Sequence, residues 1–204
     1  MFDDFITLLA VLTPALIKGV ISLFIVVDPL GSIPIFISLT ENMKEEEKRK
    51  AFNTATMIGL ILLLAFALTG QQILLFFGIS FESFMIAGGL LLLIIAIRLL
   101  VNGGWRAPKI EPESVGAVPI ACPLLVGPGA ITTTILNMQE MGIIVTTASV
   151  LIIFLVVWII LRFINPIYMV LGKVGSSVIS KVMALFIAAI AVQYMIDGFS
   201  HLTV

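Results

Sequence analysis

Long apolar runs separated by short polar segments dominate the chain. Runs such as 60–68, 90–97 and 150–161 lie in stretches long enough to cross a bilayer, which takes about 20 residues for a helix. The pattern predicts an all-α membrane protein that forms a single transmembrane domain over residues 1–204, because the polar segments leave no room for a soluble domain. The six predicted spans cover residues 16–39, 51–76, 82–101, 115–138, 143–163 and 177–199.

Composition supports this class and excludes several functions. Hydrophobic residues make up 60% of the chain and charged residues 11%, against about 25% charged in soluble domains. Cys122 is the single cysteine and His201 the single histidine, so an intrachain disulfide and a His-rich metal site are excluded. A net charge of −1 gives no indication of nucleic acid binding. Asp3 and Asp4 come first and no basic segment precedes the apolar stretch, so we expect the N-terminus to be retained.

The basic residues divide the loops between the two membrane faces. The chain has 11 lysines and arginines. In the six-span arrangement, Lys18 alone falls on one face and all the others fall on the opposite face. Basic residues are enriched in cytoplasmic loops. The charged face is therefore predicted to be cytoplasmic and both termini outside. This is the pattern of a multi-pass protein of the cytoplasmic membrane, in contact with the lipid bilayer.

Two halves of the chain resemble each other at an offset of 94–95 residues. The matching segments are 29–34 with 123–128, 42–45 with 137–140, and 95–103 with 190–198. The middle pair has an Asn-x-x-Glu pattern and predicts capped helix starts for spans two and five. Each half has three spans, so the second half enters the membrane from the opposite side. The prediction is a 3+3 inverted repeat, over approximately 8–103 and 114–202, as in many secondary transporters.

Spans one and four are predicted to be discontinuous at the bilayer midplane. Asp28 lies ten residues after Lys18 and thirteen before Glu41, and Val126 lies in the middle of span four. At 1.5 Å per helical residue both positions fall near the same depth. Prolines and glycines, which disrupt helices, surround both. They are Pro29, Gly31 and Pro34 in span one, and Pro123, Gly127, Pro128 and Gly129 in span four.

Broken helices cannot face lipid, because each unsatisfied backbone group costs several kcal/mol there. They must face protein or a wet cavity, where half-helix N-termini attract carboxylates and C-termini attract cations. Such a site suits a small zwitterion and a coupled proton or sodium ion. Asp28 would carry the coupling proton, ligate sodium, bind a substrate ammonium, or cap the backbone beyond Pro29. Ser32 and Thr132 would supply hydroxyl ligands or bond back to their own helices.

Two segments carry a family resemblance. Residues 28–36, DPLGSIPIF, followed by Leu39-Thr40, resemble the first-helix signature of the MarC family, and residues 123–132, PLLVGPGAIT, resemble its second signature. The resemblance covers nearly the whole chain and implies transport of small neutral amino acids such as glycine and alanine, driven by a cation gradient. The substrate-site residues that it implies are Asp28, Pro29, Gly31, Ser32, Gly127, Pro128, Gly129 and Ala130. Pro123 and Thr132, from the second segment, complete the candidate site.

The leading functional hypothesis is therefore symport of a small neutral amino acid coupled to protons or sodium, with Asp28 as the coupling residue. A channel or exporter for another small solute and a non-transporting membrane partner are the alternatives. An enzyme is not expected, because no nucleophile–base pair, phosphate loop or metal cluster is visible in the sequence. No cofactor and no metal are expected, and the sequence carries no prediction of oligomeric state.

Overall fold

The computed structural model describes residues 2–40, 43–102 and 125–202, which form helices joined by short turns, with no strand in these ranges. Among the described helices, four are long and apolar enough to cross a membrane: Glu45–Phe76, Phe81–Val101, Pro128–Arg162 and Val174–Ser200. An all-helical membrane protein is therefore confirmed. The helices are α1 (Phe2–Val27), α2 (Ile33–Leu39), α3 (Glu45–Phe76), α4 (Phe81–Asn102), α5 (Pro128–Arg162) and α6 (Ile164–Leu202).

The first predicted span is two helices. The apolar part of α1, Thr13–Val27, is followed by α2 after a turn at residues 28–32. Pro34 occupies the first turn of α2, and Pro128 occupies the first turn of α5. Proline is tolerated there because the N–H that it lacks has no partner in a helix anyway. These two prolines therefore mark where α2 and α5 begin, and the part of the predicted fourth span before residue 125 lies outside the described residues.

The chain reverses direction at Gly142 inside α5. A methyl group added to Gly59 of α3 would lie 2.7 Å from Phe154 and 3.3 Å from Val126. A straight helix would hold residues 126 and 154 about 42 Å apart. Gly142 has φ 78° and ψ 175°, a conformation that glycine adopts far more readily than other residues. The segments 128–141 and 143–162 are thus antiparallel, and the second corresponds closely to the predicted fifth span.

Both predicted helix caps need correction. At the start of α3 the Lys44 N–H donates to Glu47 Oε2 at 2.9 Å. The acidic side chain that caps this helix start is therefore Glu47 and not the predicted Glu45. The predicted cap Asn42 lies outside the described residues. The second copy does not begin a helix. Asn137 is buried within α5, where its amide donates to Ser22. In this copy of the Asn-x-x-Glu pattern, Asn137 contacts Ser22 and Glu140 contacts Lys18, both on α1.

Close helix packing sets the positions of the remaining elements. Helix α4 packs mainly on α6, while α1 and α3 pack on α5. A methyl group on Gly89 of α4 would lie 2.6 Å from the Ala191 carbonyl oxygen of α6, and one on Gly88 would collide with Thr132 of α5. Small residues permit such approaches between membrane helices. These contacts place α4, α5 and α6 around the turn between α1 and α2.

Candidate functional site

A cavity of about 30 Å³, lined by both polar and apolar groups, lies where α1 ends and α5 begins. This is room for about one or two water molecules. The backbone turn after α1 forms one wall and the first residues of α5 form the opposite wall. Side chains of α4 and α6 close the remaining sides. The lining residues are Val26, Val27, Asp28, Gly31, Ser32, Ile35, Ile95, Leu99, Gly127, Pro128, Gly129, Ala130 and Ser180.

Asp28 holds the turn between α1 and α2 in shape. Its N–H donates to the Phe24 carbonyl at 3.0 Å, its carbonyl accepts from the Ser32 N–H at 3.1 Å, and its Oδ1 accepts from the Gly31 N–H at 3.1 Å. Its φ of 42° is unusual for a residue with a side chain, although aspartate tolerates it better than most. The capping role is therefore real. Capping and binding are compatible, because the carboxylate also lines the cavity.

Gly31 makes room for that carboxylate. A methyl group at this position would collide with the Asp28 carboxylate and would lie 2.7 Å from Ser180 Cβ of α6. The Ser180 side chain lies beside the same carboxylate, where its hydroxyl is placed to donate to it. With an exposed fraction of only 6%, Asp28 depends on these donors, since a buried charge without partners is very costly. Gly31 and Ser180 therefore position the acidic group.

The opposite wall is the start of a long helix. Gly127, with φ −82° and ψ 172°, precedes Pro128 at the first position of α5, and no side chain caps this end. The first helical hydrogen bond runs from the Ile131 N–H to the Gly127 carbonyl, at 3.1 Å. The N–H groups of Gly129 and Ala130 consequently have no acceptor within the helix. Free N–H groups and the helix dipole make this wall attractive to anions.

The cavity thus has two chemically different walls. The negative wall combines the C-terminal end of α1 with the Asp28 carboxylate, which favours a cation. The positive wall is the N-terminal end of α5, which favours a carboxylate. A short zwitterion matches both walls at once, and a proton or an alkali cation matches the first. Within the described part of the chain there is no group of three His, Cys, Asp or Glu side chains placed to hold a metal ion.

Most of the predicted site residues come together. Asp28, Gly31 and Ser32 line the cavity from one side, and the segment 127–130 lines it from the other. Pro29 is buried in the turn without lining the cavity. Thr132 faces Gly88 of α4. Pro123 lies outside the described residues.

Sequence reasoning missed Ser180, Ile95 and Leu99, which α4 and α6 bring to the cavity. Ser180 follows Ser176 and Ser177 near the beginning of the sixth predicted span. Nothing in the local sequence separates it from these neighbours. The only signal is indirect: a glycine beside a buried aspartate leaves space for another helix to approach with a hydroxyl.

The fold and the cavity define a multi-pass integral membrane protein with a polar site between two helix ends. The chain belongs to the MarC family, since the profile described as "MarC family integral membrane protein" matches residues 13–203. It is 37% identical to a UPF0056 membrane protein of Archaeoglobus fulgidus, with 88% of this chain and 90% of the relative covered. It is 33% identical to the UPF0056 membrane protein YhcE of Escherichia coli K12, with 91% and 92% covered. No solved structure matches the chain.

Proposed function

We propose that this protein is a secondary transporter that carries small neutral amino acids, such as glycine and alanine, together with a proton or a sodium ion across the cytoplasmic membrane. The observation that carries the proposal is the cavity between the Asp28 turn and the start of α5. The proposal includes no enzymatic step and no cofactor.

In this proposal the substrate lies across the cavity. Its carboxylate accepts from the free N–H groups of Gly129 and Ala130. Its ammonium group, or the coupling cation, contacts Asp28 and the last carbonyls of α1. Hydrogen bonds to charged groups contribute about 1.5–3 kcal/mol each, so two helix ends suffice for a weak and reversible site. The cavity of about 30 Å³ is small, which favours the smallest amino acids.

An inverted repeat supports alternating access in this proposal. The packing pairs elements of the two halves, because α3 contacts α5 and α4 contacts α6. The half-helices α2 and α5 each begin with a proline in the first turn, and the two prolines are 94 residues apart in the sequence. The proposal counts the broken first helix as one span and the two sides of the Gly142 reversal as two spans, which makes six spans in a 3+3 repeat. Two such halves would rock around a site at their interface.

The orientation belongs to the same proposal, with both termini outside. At one end of the helices, Lys18 Nζ lies 3.0 Å from Glu140 Oε2, and below this pair the Asn137 amide donates to Ser22 at 3.3 Å. Together these contacts close the seam between α1 and α5 on the predicted outer side. The cavity lies beyond the seam, toward Ile35, Leu99 and Ser180. This arrangement supports a conformation closed to the outside.

A second candidate function rests on the volume of the cavity. About 30 Å³ holds water or a small ion but not an amino acid, so symport requires α5 to move away from the Asp28 turn. A channel or exporter for a smaller solute would not need this movement. A protein partner without transport activity is the third possibility, and it predicts that Asp28 has only its capping role.

Uptake of labelled glycine into proteoliposomes separates these functions. We expect saturable uptake that accelerates when an inward proton or sodium gradient is imposed, and that competes with unlabelled alanine. Flux that neither saturates nor responds to either gradient would replace symport with a channel. No flux of glycine or alanine under any gradient, from protein shown to be folded, would remove the transport proposal.

A further inference from the structure

Two adjoining cavities outside the candidate site lie between α3 and α5. The first has a volume of about 240 Å³ and lies at the beginning of α3 and the end of α5. The second has a volume of about 460 Å³ and follows the same two helices deeper along their length. Asn53 and Trp158 line both. The Trp158 indole N–H donates to Asn53 Oδ1 at 3.0 Å, so this pair forms the boundary between the two cavities.

The first cavity carries charges of both signs. Lys48 pairs with Glu45 at 3.3 Å, which neutralises one charge of each sign. Arg49, Arg162 and Glu46 line the same cavity and make no ion pair with any residue that the structure describes. Two guanidinium groups without an ion-pair partner among the described residues favour a phosphate, which arginine binds in a fork geometry. One free carboxylate favours an ammonium group.

The second cavity is an apolar groove on the lipid-facing side of the helices. Exposed Met57, Leu151 and Leu155 line it, and buried Phe154 lies at its base. The groove extends at least from Asn53 to Leu60, about 10 Å along α3, which matches several methylene groups of an acyl chain. Thr56, which also lines the groove, already donates to the Phe52 carbonyl at 2.8 Å. Because this hydroxyl already has an acceptor, an acyl chain can pack against Thr56 without leaving its donor unpaired.

We propose that these two cavities bind one molecule of phosphatidylethanolamine from the surrounding bilayer. The phosphate contacts Arg49 and Arg162, the ammonium group contacts Glu46, and one acyl chain lies in the groove below Trp158. Tryptophan commonly lies at this depth, between headgroups and acyl chains. An acidic phospholipid without an ammonium group would leave Glu46 unpaired. A choline headgroup has no N–H to donate to that carboxylate.

Trp158 supplies the measurement. The chain has two tryptophans, so Trp105→Phe leaves Trp158 as the single tryptophan, which can be excited selectively over the tyrosines. This variant is reconstituted into phosphatidylcholine that contains increasing fractions of an acyl-brominated lipid with an ethanolamine, glycerol or choline headgroup. We expect brominated phosphatidylethanolamine to quench Trp158 with an apparent affinity about threefold above that of brominated phosphatidylcholine, because exposed ion pairs contribute little energy.

Three further variants in the same background test the assignment of the charges. Glu46→Gln should abolish the preference for ethanolamine over the choline and glycerol headgroups, whereas Arg49→Gln with Arg162→Gln should weaken the binding of all three lipids, because each of them carries the phosphate. Arg98→Gln, on α4 away from both cavities, is the matched control and should retain the preference. Equal quenching by all three lipids in the unmodified site would overturn the proposal. Stronger quenching by the glycerol headgroup would also overturn it, because simple attraction of anions would then suffice.

Discussion

Gly31→Ala tests whether the turn after α1 positions the Asp28 carboxylate for transport. The added methyl group would collide with the carboxylate and would lie 2.7 Å from Ser180 Cβ. Overpacking of this kind costs about 1–3 kcal/mol. A displaced carboxylate also loses the Gly31 N–H, now 3.1 Å from its Oδ1. Both effects act in the same direction, so the variant should be less stable than the wild type and should bind substrate more weakly.

The size of each effect follows from these contacts. A loss of about 2 kcal/mol corresponds to a fall of about 4–8 °C in Tm for a protein of this length. Losing one hydrogen bond between a charged pair, about 1.5–3 kcal/mol, weakens glycine binding about 10- to 100-fold. We would measure Tm in detergent and the concentration dependence of glycine uptake in proteoliposomes, from the same preparation.

Gly175→Ala is the matched control. A methyl group on Gly175 would meet only Leu171, at 3.5 Å, which is an ordinary contact. Alanine also favours a helix by up to about 1 kcal/mol over glycine, so this variant should keep or slightly raise its Tm and should keep its uptake. If Gly31→Ala lowers Tm but leaves the apparent affinity for glycine unchanged, Asp28 is a cap and not a binding residue. If Gly31→Ala changes neither, the close approach itself is wrong.

Three further predictions follow from other contacts. Asp28→Asn keeps an oxygen for the Gly31 N–H and tolerates positive φ, so we expect a nearly unchanged Tm with loss of gradient-driven glycine uptake; full uptake would contradict the coupling role. Thr146→Val removes a buried hydroxyl that has no partner among the described residues and should raise Tm. The matched Thr134→Val, which loses a 2.7 Å bond to the Ala130 carbonyl, should not, and equal shifts would refute the reasoning. Lys18→Gln with Glu140→Gln should change stability by less than about 1 kcal/mol, because these side chains are 69% and 30% exposed; a larger, salt-insensitive loss of Tm would contradict this.

The break at Asp28 was predictable because few structures accommodate its residues. A carboxylate, a proline and a glycine within four residues of an apolar run cannot continue a membrane helix without a polar environment. The start of α5 was predictable for the same reason, from Gly127, Pro128 and Gly129. Both signals are local, since they depend on what each residue does to its own backbone.

Contacts between distant helices were not predictable in the same way. Ser180 reaches Asp28 only because Gly31 has no side chain, and the local sequence around Ser180 contains two similar serines. Asn137 has the spacing of a helix cap, yet it bonds Ser22 on another helix. Thr132 is the last residue of the second motif, but it packs against Gly88 of α4, where the absence of a glycine side chain leaves room for it. In each case the close approach of another helix decides which of two local interpretations is correct.

The central claim is that the Asp28 turn and the start of α5 form one site for both ends of a zwitterion. Competition against labelled glycine uptake in proteoliposomes tests it most directly, with unlabelled alanine, glycinamide and acetate as competitors. Glycinamide keeps the amino group without a carboxylate, and acetate keeps the carboxylate without an amino group. We predict that alanine competes strongly, while glycinamide and acetate, alone or together, compete at least about tenfold more weakly, because each lacks one charged contact. Acetate or glycinamide competing as well as alanine would contradict the two-ended site.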